Sequence, residues 1–152
     1  MGITTAEARE QILEDLVAAI QSLGVASASL GEAYEAVSVT SADRLEAELF
    51  MPVQKALGRG KRAYARFAEQ TGHAPQSFEI PSPGNANQAA KPLVEQAVAA
   101  AAEADHRVAE LQDSMLPIEF GDAELRAALV DVRELLDGLA TAAREYLRTL
   151  GR

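Results

Sequence analysis

Residues 4–37, which read TTAEAREQILEDLVAAIQSLGVASASLGEAYEAV, decide the fold class of this chain. Apolar or small residues recur along this stretch at alternating intervals of three and four: Leu13, Leu16, Ile20, Leu23, Ser27, Leu30, Tyr34 and Val37. This a/d spacing is typical of helices that pack side by side in coiled coils and bundles. Thr4 and Glu7 have the spacing of a capping box, which places the start of the helix. We predict a first helix over about residues 4–37.

Two glycines leave an alternative for this helix. Gly24 and Gly31 preserve the period, but each lowers helix stability by about 1 kcal/mol relative to Ala. We predict one continuous helix, and the alternative is two helices broken near Gly24.

A second helix is predicted over about residues 41–71, where Thr40 and Asp43 have a capping-like spacing at its start. Its apolar positions are four apart in the middle instead of alternating: Leu45, Leu49, Val53 and Leu57. This irregularity is a stutter, and Pro52 falls inside it, with no amide to donate and a ring that clashes with the preceding turn. We expect a kink near Pro52; termination and restart of the helix there is the alternative.

The second half of the chain continues the pattern. A third helix is predicted over about residues 88–115 and a fourth over 122–150, capped by Asp122, with unbroken a/d seams in both. The connection 72–87, GHAPQSFEIPSPGNAN, contains three prolines and two glycines, and we expect Phe78 and Ile80 to pack against an end of the helices. Short, long and short connections predict one domain over residues 1–152, an all-α, antiparallel up-and-down four-helix bundle. Two helical hairpins that pair with another chain are the alternative.

Composition and net charge argue against several classes of function. The chain has a hydrophobic content of 48% and a net charge of −9, and an acidic protein repels the phosphate backbone of nucleic acids. The absence of Cys excludes disulfides, thiolate nucleophiles and zinc-thiolate sites, and it fits a cytoplasmic location. No apolar run has the length of a membrane span and no secretory signal precedes the first helix, so we expect no transmembrane segment. The excess of Arg over Lys, with many Ala and Gly, indicates a GC-rich bacterial genome.

His106 is the residue that most invites a catalytic or metal-binding role. Glu103 and His106 have the Glu-x-x-His spacing of ferritin-like di-iron helices, but the seam turns both outward and the sequence contains no second such motif. An exposed His on a bundle is also found in histidine phosphotransfer domains, although the Lys and Gly that usually follow are missing here. We predict no metal and no cofactor, and keep a metal or phosphotransfer role at His106 as an alternative.

The segment GRGKR, residues 58–62, does not have the spacing of a phosphate-binding loop and continues the helical period. Gly58 and Gly60 are better interpreted as packing or kink residues. With no carboxylate on the seams and no nucleophile–base pair, we predict that the protein is not an enzyme and infer no small-molecule substrate.

The remaining candidate is a basic stripe on the second helix. Its members recur four, three and four positions apart and face away from the seam: Lys55, Arg59, Arg62 and Arg66. The simple interpretation is a solvated face with pairs such as Arg66 to Glu69. The functional hypothesis is a docking face for an anionic partner, which could be an acidic protein, a nucleic acid or a membrane surface. Self-association is also possible, because the first helix carries the acidic residues Glu7, Glu10 and Glu14. The leading prediction is a non-catalytic protein for protein–protein interaction or scaffolding.

Overall fold

The computed structural model describes residues 2–79 and 89–150, and every regular element in these ranges is a helix. The elements are α1 (Thr5–Glu35), α2 (Val39–Leu45), a π-helical turn (Glu46–Phe50), α3 (Met51–Gln70), α4 (Ala90–Asp113), α5 (Leu116–Glu119), α6 (Ala123–Leu136) and α7 (Leu139–Leu150). The all-α class is confirmed.

The first helix forms as one piece. The capping box is present, since the Glu7 amide donates to Thr4 Oγ1 at 3.1 Å and the Glu7 side chain accepts from the Thr4 amide. Helix α1 then continues through Gly24 and Gly31 to Glu35. Its interactions with the neighbouring helices offset the low helix propensity of glycine. The alternative of a break near Gly24 is wrong.

The second helical rod begins earlier than predicted. The Ser41 amide donates to Ser38 Oγ at 3.3 Å, so Ser38 is the N-cap, and the capping role predicted for Thr40 is wrong. From Val39 the backbone is helical as far as Gln70, and it does not stop and restart at Pro52.

The stutter corresponds to the π-helical turn. The Met51 amide donates to the Glu46 carbonyl, five residues earlier, so this turn holds one more residue than an α-helical turn. The extra residue allows Leu45, Leu49 and Val53 to remain buried on one face although they are four apart. The turn comes directly before Pro52, where the helix has no amide to donate.

The fourth predicted helix is interrupted. Asp137 is extended with ψ 133° and Gly138 has φ 78°, so α6 ends at Leu136 and α7 starts at Leu139. The left-handed conformation at Gly138 favours glycine because a side chain would be strained there. The prediction of one helix over 122–150 is therefore wrong. The seam nevertheless crosses the break, since its members from both helices are buried: Leu125, Leu129, Val132, Leu136, Leu139, Ala143 and Tyr146.

The turn after α4 also differs from prediction. Helix α4 ends at Asp113, and the connection to α6 contains the short helix α5. Met115, the last residue of the predicted third helix, has φ 67° and is 47% exposed. The seam of α4 thus ends at Leu111, which is buried.

The direction in which each helix runs follows from which helix ends lie close together. The Arg66–Asp122 ion pair brings the end of α3 to the start of α6. The end of α4 lies at the same end of the molecule, because only α5 separates it from α6, against which it packs. Helices α3 and α4 therefore run in the same direction, both antiparallel to α6. The predicted alternation of successive helices is wrong between α3 and α4.

This topology explains the long connection. The amide of Gln76 donates to the Tyr64 hydroxyl at 3.1 Å, and the rings of Phe78 and Tyr64 are in edge contact at 5.4 Å. Residues 71–79 thus turn back along α3 towards the end where α4 begins. The expectation that Phe78 packs against an end of the helices is wrong, and Ile80 lies outside the described residues.

The most extensive helix–helix contact joins α1 and α4. Each helix carries alanines at intervals of seven on a buried face: Ala19, Ala26 and Ala33 on α1, and Ala90, Ala97 and Ala104 on α4. Small side chains allow two helices to approach closely, because the distance between their axes depends on the residues at the contact. This alanine face is a second buried stripe of α1 beside the predicted seam.

Helix α1 is long and apolar enough to cross a membrane, with a mean hydropathy of 1.3 over its most apolar window. Length and composition alone are weak evidence, since core helices of soluble proteins and signal sequences share them. In this fold 44% of that window is buried.

Candidate functional site

The basic stripe borders an open groove between α3 and α6 with a volume of about 680 Å³. The surface around this groove is called the α3–α6 face, and its lining residues are Met51, Gln54, Lys55, Gly58, Arg59, Arg62, Asp131, Glu134 and Leu135. Helix α3 supplies the basic side and α6 the acidic side.

Two of the four predicted stripe residues form ion pairs with carboxylates of the same chain. Arg59 Nε donates to Asp131 Oδ2 at 3.0 Å, and the Arg59 side chain is only 21% exposed. Arg66 forms two hydrogen bonds with Asp122, the shorter at 2.6 Å. The partners of Arg59 and Arg66 therefore lie on α6 or at its cap, and the pair suggested between Arg66 and Glu69 does not form.

The other two stripe residues face solvent. Lys55 and Arg62 are exposed and form no ion pair with any residue in the ranges 2–79 and 89–150. A Cβ at Gly58 would lie 3.2 Å from Arg62 Nη1, so the guanidinium rests over a position without a side chain. The absence of a side chain at Gly58 leaves the space that the Arg62 guanidinium occupies.

The acidic side comes from α6. Glu134 is exposed and, among the described residues, makes no side-chain ion pair, whereas Asp131 is held by Arg59. Met51, which is 43% exposed, and the half-buried Leu135 add apolar surface. Among the described residues, the α3–α6 face thus combines two cations and one carboxylate without ion-pair partners, with apolar surface at the end near Met51.

Comparison with known proteins gives no family for this chain. No family model, curated protein or solved structure matches it. The function must therefore be inferred from the α3–α6 face and the rest of the fold.

His106 lies on the exposed surface of α4 beside charged residues of the same helix. Its side chain is 64% exposed and its Nε2 pairs with Glu110, one helical turn away. Glu103 pairs instead with Arg107 at 3.1 Å. Within the part of the chain that the structure describes, no three His, Asp or Glu residues come together as potential metal ligands.

The segment GRGKR is an internal part of α3. A Cβ at Gly60 would lie 3.4 Å from Ile20 Cγ1, so this glycine permits close contact with α1. The interpretation of Gly60 as a packing residue is confirmed. Lys61 is exposed on the other side of α3, at a second groove of about 800 Å³ between α1 and α3. Residues 76–79 of the connection form one wall of that groove, so part of it is covered by the chain itself.

Asp122 holds the face together at one end and gives a testable pH dependence. Its Oδ1 accepts from the Leu125 amide at 2.9 Å, and its hydrogen bonds with Arg66 lower the pKa of the carboxyl below its usual value. A lowered folded-state pKa stabilises the protein above the unfolded-state pKa, about 4, and this contribution is lost as the pH falls through the folded-state pKa.

We expect Asp122→Asn to keep the cap but remove the charge, because Asn is also a good N-cap. This variant should be less stable than the parent at pH 7, and the difference should shrink below about pH 4. Asp122→Ala also loses the cap and should destabilise further, by about 1 kcal/mol. Urea unfolding of the three proteins at pH 7 and pH 3 measures both effects; a difference that does not depend on pH would contradict the role of the ion pair.

The sequence predicted the α3 residues of this face but not the α6 residues. The spacing of the basic residues was sufficient to place them on one side of α3. The contributions of Asp131, Glu134 and Leu135 depend on which helix packs beside α3 and in which register, and no local pattern encodes that. The only available signal was the i, i+3 spacing of Asp131 and Glu134, which gives both the same side of α6.

Proposed function

We propose that this protein is a non-catalytic interaction or scaffolding module that docks a protein partner on its α3–α6 face. The observation that carries the proposal is the pair of exposed cations, Lys55 and Arg62, beside the exposed Met51. In a protein of net charge −9, cations without internal partners form a local region of opposite sign. Such a region favours a partner surface that carries carboxylates.

The mixed charge of the face favours a folded protein over a nucleic acid or a membrane. A phosphate backbone or an anionic lipid surface presents negative charge over a wide area, and Glu134 and Asp131 would lie against it. Arg59 and Arg66, which could have extended the positive surface, are already paired with carboxylates. A protein partner with both signs of charge fits better.

We further propose a four-helix bundle as the scaffold. Its rods are α1, the α2–α3 rod, α4 and the α6–α7 rod, and the packing of α1 and α6 against both α3 and α4 supports this arrangement. The π-helical turn before Pro52 is the expected place for a bend in the α2–α3 rod. This bend would set the angle of the face that follows it.

A charge reversal tests the proposed function. We expect Lys55→Glu combined with Arg62→Glu to abolish capture of partner proteins, because both cations then repel an acidic surface. The fold should be retained, since neither side chain is buried or paired within the described residues. The measurement is affinity capture from native lysate with the protein as bait, followed by mass spectrometry, alongside a thermal melt.

The matched control is Lys91→Glu combined with Arg144→Glu. This variant has the same change in net charge, and both residues are exposed away from the α3–α6 face. It should capture the same partners as the parent protein. If both variants lose or both keep the partners, the α3–α6 face is not the docking site.

A further inference from the structure

We infer that the partner of the α3–α6 face is a second copy of this chain, in a dimer with twofold symmetry. This inference rests on the proposed function, because it assigns an occupant to the same face. The evidence is the charge pattern across the groove: the basic side of one copy can face the acidic side of a second copy.

The face is divided along its length into rows of opposite charge. On the α3 side, Lys55 and Arg62 have no ion-pair partner among the described residues, whereas Arg59 and Arg66 are paired with Asp131 and Asp122 of the same copy. The α6 side carries Asp122, Asp131 and Glu134. Each row follows one helix, so the boundary between positive and negative charge runs parallel to the helices.

Symmetry then selects one dimer geometry. A twofold axis parallel to the helices, within the contact plane, places α3 of each copy over α6 of the other. The α3 side of each copy, with Lys55, then lies over the α6 side of its partner, with Glu134, and this contact occurs twice. A twofold axis across the helices would place α3 on α3 and α6 on α6, bringing like charges together, which is unfavourable.

The register inside one copy identifies the matching residues. The Arg59–Asp131 ion pair marks residues at the same height on α3 and α6. One turn further along, Lys55 lies at the height of Glu134, because the helices are antiparallel. In the dimer, Lys55 of each copy faces Glu134 of the other. Neither side chain has an ion-pair partner in the described part of its own chain, so the contact between copies satisfies both.

Apolar surface lies at one end of this arrangement, next to Lys55 and Glu134. Met51 is 43% exposed and Leu135 is half-buried, so the two faces can bury apolar surface there. The charge of −9 on each copy opposes association over long distances. At an ionic strength of 0.1 M the screening length is about 10 Å, so this repulsion is weakened while contacts between opposed side chains remain. The dimer should therefore be reversible and should weaken on dilution.

Two single variants, Lys55→Glu and Glu134→Lys, test the geometry. Each variant alone places two like-charged contacts in the dimer, and we expect its dissociation constant to rise by about tenfold or more. Mixing the two variants in equal amounts restores two opposite-charge contacts, one on each side of the twofold axis. Sedimentation velocity near 0.1 M salt should show monomers for each variant and dimers for the mixture. Lys91→Glu is the control and should dimerise like the parent.

Three results would overturn the inference. The parent protein could remain monomeric at millimolar concentration, the two variants could dimerise as well as the parent, or their mixture could fail to restore the dimer. A monomeric parent that still captures another protein, with capture lost on reversal of Lys55 and Arg62, would contradict the dimer and leave the proposed function standing. A dimer insensitive to the variants, with capture also insensitive, would contradict both.

Discussion

Replacing Tyr146 by Ala is expected to lower the free energy of unfolding by about 3–5 kcal/mol, the range found when a large buried aromatic is removed. Tyr146 has no exposed surface, and its hydroxyl donates to the Ser41 carbonyl at 3.0 Å. The guanidinium of Arg44 lies 5.5 Å from the centre of its ring. One side chain thus joins α7 to α2 at one end of the molecule, and its loss removes packing, a hydrogen bond and a cation–π contact together.

Tyr146→Phe separates these contributions. It keeps the ring and its packing but leaves the Ser41 carbonyl without this donor, so the expected loss is about 1 kcal/mol. Urea unfolding of the parent and both variants gives the two differences. Equal losses for Phe and Ala would mean that the hydroxyl, not the buried ring, accounts for the stability.

Replacing Ala104 by Leu is expected to destabilise the protein by about 1–3 kcal/mol, the usual range when extra methylenes enter a packed core. Ala104 has no exposed surface and belongs to the alanine face of α4, the helix that makes the most extensive contact with α1. A larger side chain there has to push α1 and α4 apart or adopt a strained rotamer. Leu has a high helix propensity, so any loss comes from packing and not from the helix itself.

Ala102→Leu is the matched control on the same helix. Ala102 is exposed, so the same substitution adds side-chain volume without entering the contact between α1 and α4. Its free energy of unfolding should stay within about 0.5 kcal/mol of the parent value. The measurement is again urea unfolding, and a comparable loss for the two variants would argue against a close alanine contact.

The sequence predicted the elements better than their arrangement. The Thr4–Glu7 capping box, the continuity of α1 and the cap at Asp122 depend on residues a few positions apart, and all three are confirmed. The break at Gly138 also had a local signal, the Asp-Gly dipeptide, but the unbroken seam outweighed it because seam residues stay buried on both sides of the break. The direction of α4 had no local signal. It follows from the Arg66–Asp122 ion pair and the short connection through α5, and the contacts of Tyr64 show residues 71–79 turning back along α3 to allow it.

The candidate site was predictable to a similar degree. Helical spacing was enough to place Lys55 and Arg62 on one side of α3. It could not reveal that Arg59 and Arg66 would be taken up by carboxylates on α6, because those pairs join residues more than fifty positions apart in sequence. The charge pattern along α3 therefore identified candidate partner-binding residues. The ion pairs with α6 determine which of these residues are still able to contact a partner.

The parallel course of α3 and α4 has a consequence for how the protein unfolds. The chain forms two hairpins, yet the most extensive contact of α1 is with α4, which belongs to the other hairpin. Neither hairpin can bury its own apolar surface without the other. An intermediate with only one folded hairpin would expose this surface and should therefore be unstable. We expect a single cooperative transition in which both hairpins are lost at once, instead of a stepwise loss of one and then the other.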